Sequence, residues 1–430
     1  MKDDRILWDL SPALLRGAIS SDLKFDAAGS LDDDVGDGIS AVSLINNIGV
    51  VPGLWKVGYS RFREALVPAL DLRIGENYFE FPYDWRRDNR GSARRLKRQA
   101  SIWLKQWREV SGNDNAKICI VAHSMGGLVA RYYIENLGGW KDVCSLITVG
   151  TPHRGSGKAV DFLNSRAKPL LRNKVFAGLD IFANFDSLYQ LLPTYNFIAT
   201  GDGWKKVHET ALPGIDQDRA VLANAFHDEI EAAYLSNSQN DGYIRTAPTV
   251  KLIVGSDQPT LQSGTLSDGA LHLGYKDFTD ANYYGDETVP RVSAVPRGLT
   301  DSFATFVCNT HSALTSDSFV LQHIKDSLIG STFNLDNYRA AAGPRVRLKV
   351  PSFGQSGEPV VIEAEAIPSE QKLTAVILRI DEPQHAKKLT LYRRDRANVG
   401  EILLSKGLYK VTITFEGIEV SDLFCVLDDA

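Results

Sequence analysis

The chain is poor in cysteine, with four in 430 residues, at positions 119, 144, 308 and 425. None forms a C-x-x-C pair or shows metal-ligand spacing, which argues against a disulfide scaffold and a zinc site. Cys119 and Cys144 lie in apolar runs and read as buried free thiols of a reduced, cytoplasmic protein. No stretch of about 18 apolar residues occurs. The opening Met-Lys-Asp-Asp-Arg-Ile-Leu-Trp has no apolar core of signal-peptide length. Any lipid is therefore expected to be met from the aqueous side. Charge of one sign is lacking too: a net −5 gives no electrostatic case for nucleic acid or an anionic membrane surface. There is no H-E-x-x-H and no paired histidine ligands, so neither metal nor cofactor is expected. Gly155-Ser156-Gly157-Lys158 resembles part of a phosphate loop, but Pro152 and Ala159 stand where that loop needs glycine and Ser/Thr.

What is present centres on Ile118-Cys119-Ile120-Val121-Ala122-His123-Ser124-Met125-Gly126-Gly127. An apolar run feeds into a serine between small residues, and a helical pattern follows from Leu128. The run reads as a strand buried on both faces. A serine on the sharp turn from strand to helix is a nucleophile elbow, with Ala122 where glycine is usual. Around it, a helix at Tyr59–Leu70, a strand at Tyr78–Tyr83, a helix from a Ser92 cap to Glu109, the elbow strand and helix, and a strand at Val143–Val149 alternate. That rhythm predicts a parallel sheet with helices on both faces. It breaks at about 158–245, where an insertion is expected to cap the carboxyl ends of the strands. It resumes at Val250–Gly255 and ends with a strand at Phe303–Cys308 and a helix to Leu328.

The predicted organisation is a catalytic α/β domain over 1–330, a linker over 331–345 and an all-β sandwich over 346–430. The sandwich rests on about seven short alternating strands. Gly407-Leu408-Tyr409 before one of them fits a tyrosine corner.

A serine hydroxyl needs a base, the base needs an orienting carboxylate, and the oxyanion needs donors. In α/β-hydrolases the order is Ser, Asp, His. Asp286, in Gly285-Asp286-Glu287-Thr288-Val289-Pro290, is the candidate acid; its structural alternative is an Asx-turn residue. Asp257, just past Val254-Gly255-Ser256, is the second candidate. His311 is the candidate base, because it follows Asp286 between a strand and a helix. His323 would point away from inside the next helix, and His123 is expected to point to the side opposite Ser124. The Met125 N–H is the first oxyanion donor.

Taken together, Phe81-Pro82-Tyr83-Asp84-Trp85-Arg86, Ala122-His123-Ser124-Met125-Gly126-Gly127, Gly150-Thr151-Pro152, Gly285-Asp286-Glu287-Thr288-Val289-Pro290 and His311 resemble the lecithin:cholesterol acyltransferase family across about residues 5–330. The resemblance implies an α/β-hydrolase fold and acyl-ester chemistry on a lipid-like substrate, with the acyl group passed to water or an alcohol. It also implies Ser124 as nucleophile, Asp286 as acid, His311 as base and a lipid-facing cap, through which a peripheral membrane contact is expected. The family's second oxyanion donor comes from a Val-Pro-Gly-x-x-Gly-Ser loop after an early buried strand. This chain opens at what resembles a later segment, Ile6-Leu7-Trp8-Asp9. Val51-Pro52-Gly53-Leu54 is the available counterpart, about 70 residues before the serine, making Leu54 the second candidate donor. The alternative function is a catalytically impaired protein that keeps the fold to bind lipid or protein. The sandwich is expected to bind a protein partner or brace the cap.

Overall fold

The computed structural model describes residues 38–44, 49–51, 55–57, 59–165, 184–330, 344–380 and 386–427. Four strands form the central sheet: β1 (Ile118–His123), β2 (Val143–Val149), β3 (Thr249–Gly255) and β4 (Ala304–Val307). They lie in the order β4-β3-β2-β1, all parallel. Parallel strands need covered crossovers, and helices supply them on both faces. These are α1 (Ser60–Ala69), α2 (Asn89–Ser111), α3 (Gly126–Asn136), α4 (Gly157–Ser165), α5 (Gln217–Asn237) and α6 (Ser318–Leu328). Strand alternation sorts the core into layers. Leu146 packs with Leu96, Ala100 and Leu128 on the α2–α3 face. Its neighbours Ile147 and Val149 pack with Leu66, Leu321 and Ile324 on the α1–α6 face.

Three local expectations change. Tyr78–Tyr83 is not a strand; Phe79 stacks on Trp103 of α2 at 4.7 Å instead, and Pro82 has no N–H to give to a ladder. Helix α2 is capped by Asp88, whose carboxylate accepts from Arg90 N at 2.7 Å, while Ser92 is buried inside the helix. It stops at Gly112, in the left-handed region, as a helix C-terminus favours. Third, β1 is not buried on both faces: among the described residues it is the sheet's edge strand. Cys119 and Cys144 are exposed rather than buried, with their Sγ atoms 3.4 Å apart.

Of the expected cap, residues 166–183 lie outside the described part. The rest holds α4 and α5, with Phe185, Leu188, Leu192, Phe197 and Phe226 packed into the core above α3. It extends further along the chain than 245. Ser263–Ser267 pairs with Ala270–Gly274 on one side and with Ile198–Thr200 on the other, and Gly203–Lys205 pairs with Ile198–Thr200 to complete a small four-stranded sheet.

The carboxyl-terminal part is a separate all-β unit. Its strands are β5 (Arg345–Lys349), β6 (Phe353–Gln355), β7 (Pro359–Ile367), β8 (Lys372–Arg379), β9 (Ala386–Arg394), β10 (Ala397–Leu403), β11 (Gly407–Phe415) and β12 (Ile418–Leu427). They form one sheet in the order β5-β7-β10-β9-β8-β11-β12-β6. Strand β9 pairs with β8 along most of its length and with β10 only at its end. The sheet folds over there, and its two halves enclose a core of Val346, Ile362, Leu391, Val411, Ile413 and Phe424. Seven of these strands match the sequence pattern; the three-residue β6, parallel to β12, is too short to show alternation. Tyr409 Oη donates to Ser405 O at 2.8 Å, a tyrosine corner. With two packed halves of this order, the unit is an immunoglobulin-like sandwich.

Candidate active site

The site forms where the carboxyl ends of β1, β3 and β4 meet. Ser124 follows β1 with φ of +53°, a region costly for a residue with a side chain. Neighbouring groups fix it there: Ser124 N donates to Val149 O at 2.9 Å, and Gly127 N donates to Ser124 O at 3.0 Å. A Cβ on Gly127 would overlap the Thr151 side chain, so glycine is required for α3 to approach the loop after β2.

Asp286 sits in the turn after an isolated bridge between Gln258 and Gly285–Asp286. Its Oδ1 accepts from Thr288 N at 3.0 Å and Val289 N at 2.6 Å. The turn hydrogen bonding of an Asx residue is therefore present, and it leaves Oδ2 to another partner. That partner is His311, whose Nδ1 lies 2.8 Å away. His311 N also donates to Asp286 O at 2.7 Å. At the far edge of the ring, His311 Nε2 is 2.9 Å from Ser124 Oγ. Ser124, Asp286 and His311 are 7%, 1% and 2% exposed, so the chain of hydrogen bonds runs in a low-dielectric setting that strengthens it. Two glycines make room: a Cβ on Gly255 would overlap Asp286, and Gly150, at φ +56°, faces the Asp286–His311 pair.

Asp257, the second candidate acid, does not meet the histidine. Its carboxylate pairs with Arg345 Nη1 at 2.9 Å. Met125 stands at the N-terminus of α3, where backbone N–H groups have no intrahelical acceptor. Leu54 lies outside the described residues. His323 is held by Thr305 Oγ1 at 3.2 Å, away from the site. His123 departs from expectation. The sharp turn at Ser124 breaks strand alternation, and the His123 ring lies 4.8 Å from that of His311. Its Nδ1 is 3.0 Å from Tyr59 Oη. Burial, and then the neighbouring His311, hold its pKa well below the usual histidine range; a neutral ring therefore stands beside the base. Sequence reasoning missed Tyr59 and the two backbone donors to Asp286. The donors are implied by the Asp-x-Thr-Val turn, but Tyr59 meets His123 across 64 positions with no local signal.

The motif Phe81-Pro82-Tyr83-Asp84-Trp85-Arg86 is a buried bracket. Asp84 takes Arg86 at 2.6 Å and Arg87 at 3.0 Å, and all three side chains are buried. Lys158, from the rejected phosphate-loop stretch, pairs with Glu287 at 2.7 Å. Among the described residues no group of histidine, cysteine and carboxylates could hold a metal, and no helix is long and apolar enough to cross a membrane.

A parallel sheet with helices on both faces, and a serine on a left-handed turn between strand and helix, define the α/β-hydrolase fold. Residues 60–247 match the family model of lecithin:cholesterol acyltransferase. A 57-residue stretch is 42% identical to triacylglycerol lipase 2 of Saccharomyces cerevisiae, covering 13% of this chain and 18% of the yeast protein. Among solved structures, the Bacillus licheniformis lipase BlEst2 in propeptide form is similar over 75% of this chain and 63% of that one, at 12% identity and a TM-score of 0.30. Its mature form is similar over 57% and 72%, at 15% identity and a TM-score of 0.29. The chain thus spans under a fifth of the yeast relative and just under two thirds of the first bacterial structure.

Proposed function

We propose that the protein is a serine lipase, esterase or lipid O-acyltransferase that works through an acyl-enzyme. The observation that carries this reading is the unbroken line Asp286 Oδ2, His311 Nδ1, His311 Nε2, Ser124 Oγ, at 2.8 and 2.9 Å. In this reading Asp286, its other oxygen tied to backbone N–H groups, fixes the tautomer of His311 and favours the imidazolium that forms during attack. His311 Nε2 takes the Ser124 proton as Oγ bonds to the ester carbonyl carbon. The oxyanion faces the Met125 N–H. Collapse expels the alcohol, which receives the proton from His311, and leaves the acyl group on Ser124. Water or a second alcohol then repeats the sequence in reverse. A lipid-like ester as substrate is supported by the family match and by the yeast relative's being a triacylglycerol lipase. Access from the aqueous side, through the cap and in a cytoplasmic setting, belongs to the same proposal.

Turnover of short-chain p-nitrophenyl esters by the full chain tests it. The reading expects saturable hydrolysis that Ser124→Ala abolishes. Absence of any Ser124-dependent turnover, on short or long acyl chains and with or without an added alcohol, would favour the alternative, a lipid- or protein-binding protein on a hydrolase scaffold.

A further inference from the structure

The immunoglobulin-like unit does not stand apart from the chemistry. Its first strand, β5, and its last, β12, reach the two loops that carry the candidate acid and base.

Gln258 is the joint on the acid side. It is fully buried. Its side-chain amide is spent on β5: Oε1 accepts from Leu348 N at 3.0 Å, and Nε2 donates to Val346 O at 3.1 Å. One side chain thereby pairs with alternate backbone groups, as a neighbouring strand would. Its backbone is spent on the acid turn: Gln258 N donates to Gly285 O at 2.9 Å, and Gly285 N donates to Gln258 O at 3.0 Å. Asp286 is the next residue. Two arginines of β5 close the same joint. Arg345 pairs with Asp257, Arg347 Nε donates to Asp257 O at 3.2 Å, and the Arg347 guanidinium lies 4.1 Å over the Tyr284 ring.

Thr310 is the joint on the base side. It immediately precedes His311, is fully buried, and donates through Oγ1 to Ser421 O of β12 at 2.5 Å. A buried backbone carbonyl without a partner costs free energy, so both loops are held by bonds that are unfavourable to break.

The geometry points to the immunoglobulin-like unit as a brace that sets the spacing of Asp286 and His311, with Gln258 and Thr310 as positioning residues. This rests on the proposed serine chemistry for its kinetic consequence but not for its structural one. A misplacement of about 1 Å in such an array costs about 10²-fold in rate. The brace therefore acts on turnover rather than on substrate affinity.

The experiment uses the full chain and the variants Thr310→Val, Thr310→Ser, Gln258→Leu and Tyr409→Phe. The last weakens the β unit at its tyrosine corner, away from both joints. Two readouts are taken: the second-order rate of fluorophosphonate labelling at Ser124, with kcat and KM on a short-chain ester, and the low-field proton resonance of His311 Nδ1–H, assigned by its loss in Asp286→Asn. The expected result is a tenfold or greater fall in labelling rate and kcat for Thr310→Val, KM within twofold of the parent, and a shifted or rapidly exchanging low-field resonance. Thr310→Ser restores both readouts to within threefold, Gln258→Leu follows Thr310→Val, and Tyr409→Phe keeps the parent rate despite a lower Tm. A folded Thr310→Val variant with parent rates and resonance overturns the brace. A parent chain that shows the resonance but no labelling overturns the proposed function instead. The resonance of Thr310→Val then decides the brace alone: unchanged, it overturns the brace; altered, it supports it.

Discussion

A carboxylate beside a histidine matters only through which of its oxygens is free to face the ring. Asp286 resolves this by giving Oδ1 to Thr288 and Val289 N–H and Oδ2 to His311. Asp286→Asn keeps the shape and loses the charge, and it presents an amide that favours the wrong imidazole tautomer. We predict a fall in kcat of about 10⁴-fold, measured by steady-state ester hydrolysis. Asp257→Asn, which loosens the pair with Arg345 and leaves the Asp286–His311 contact in place, is expected to keep kcat within tenfold in the same assay. Ser124, Asp286 and His311 were legible as candidates because chain order and local turn chemistry mark them. Gln258 and Thr310 were not, because their partners stand 88 to 111 positions away and nothing in their neighbourhood announces a carbonyl to be met. His123 was misjudged for a local reason: alternation was extended through a residue whose positive φ ends the strand.

At the scale of elements, the site is held by close approach more than by strong bonds. Helix α3 can follow Ser124 this closely only if Gly127 leaves room for Thr151. Gly127→Ala is therefore expected to cost about 1–3 kcal/mol through overpacking, seen in chemical denaturation, and to slow labelling of Ser124 by turning the elbow. Tyr409→Phe removes the part-buried hydrogen bonds of the hydroxyl with Ser405 O and Ser405 Oγ, and is expected to cost about 1 kcal/mol with the fold unchanged. Elements with a strong period were readable: α1, α3, β2, β3 and the long strands of the β unit fall within a few residues of expectation. Tyr78–Tyr83 shows the limit. Its aromatic, strand-like composition is used to stack on α2, and a half-buried extended segment has the same pattern as a strand whether or not a ladder partner exists.

At the scale of the whole molecule, buried histidines make the fold acid-sensitive. Burial pushes His227 and His323 down to about 4 and holds His153 and His123 well below the usual range. In the unfolded chain these rings titrate near about 6.5. Above that value both states are neutral and the groups contribute nothing to the pH dependence. As pH falls from about 6.5 towards 4 the unfolded chain binds protons that the folded one refuses, so stability drops, and below about 4 the loss due to His227 and His323 stops growing. Thermal unfolding followed against pH should show this fall, and His227→Gln, which removes one of the four groups, should flatten it. The two-unit plan of the chain was visible in the change from mixed rhythm to short alternating strands near residue 345. The grip of the second unit on the loops of the first was not visible, because Gln258 and Thr310 meet backbone groups of Val346, Leu348 and Ser421 that any residue carries. The proposed activity requires Ser124 to act as a nucleophile. Its most direct test is incubation of the full chain with a fluorophosphonate, followed by peptide mass mapping. A single adduct on Ser124, absent in Ser124→Ala and slowed in Asp286→Asn, is the predicted result. An unmodified Ser124 in folded protein, or an adduct confined to other residues, would contradict it.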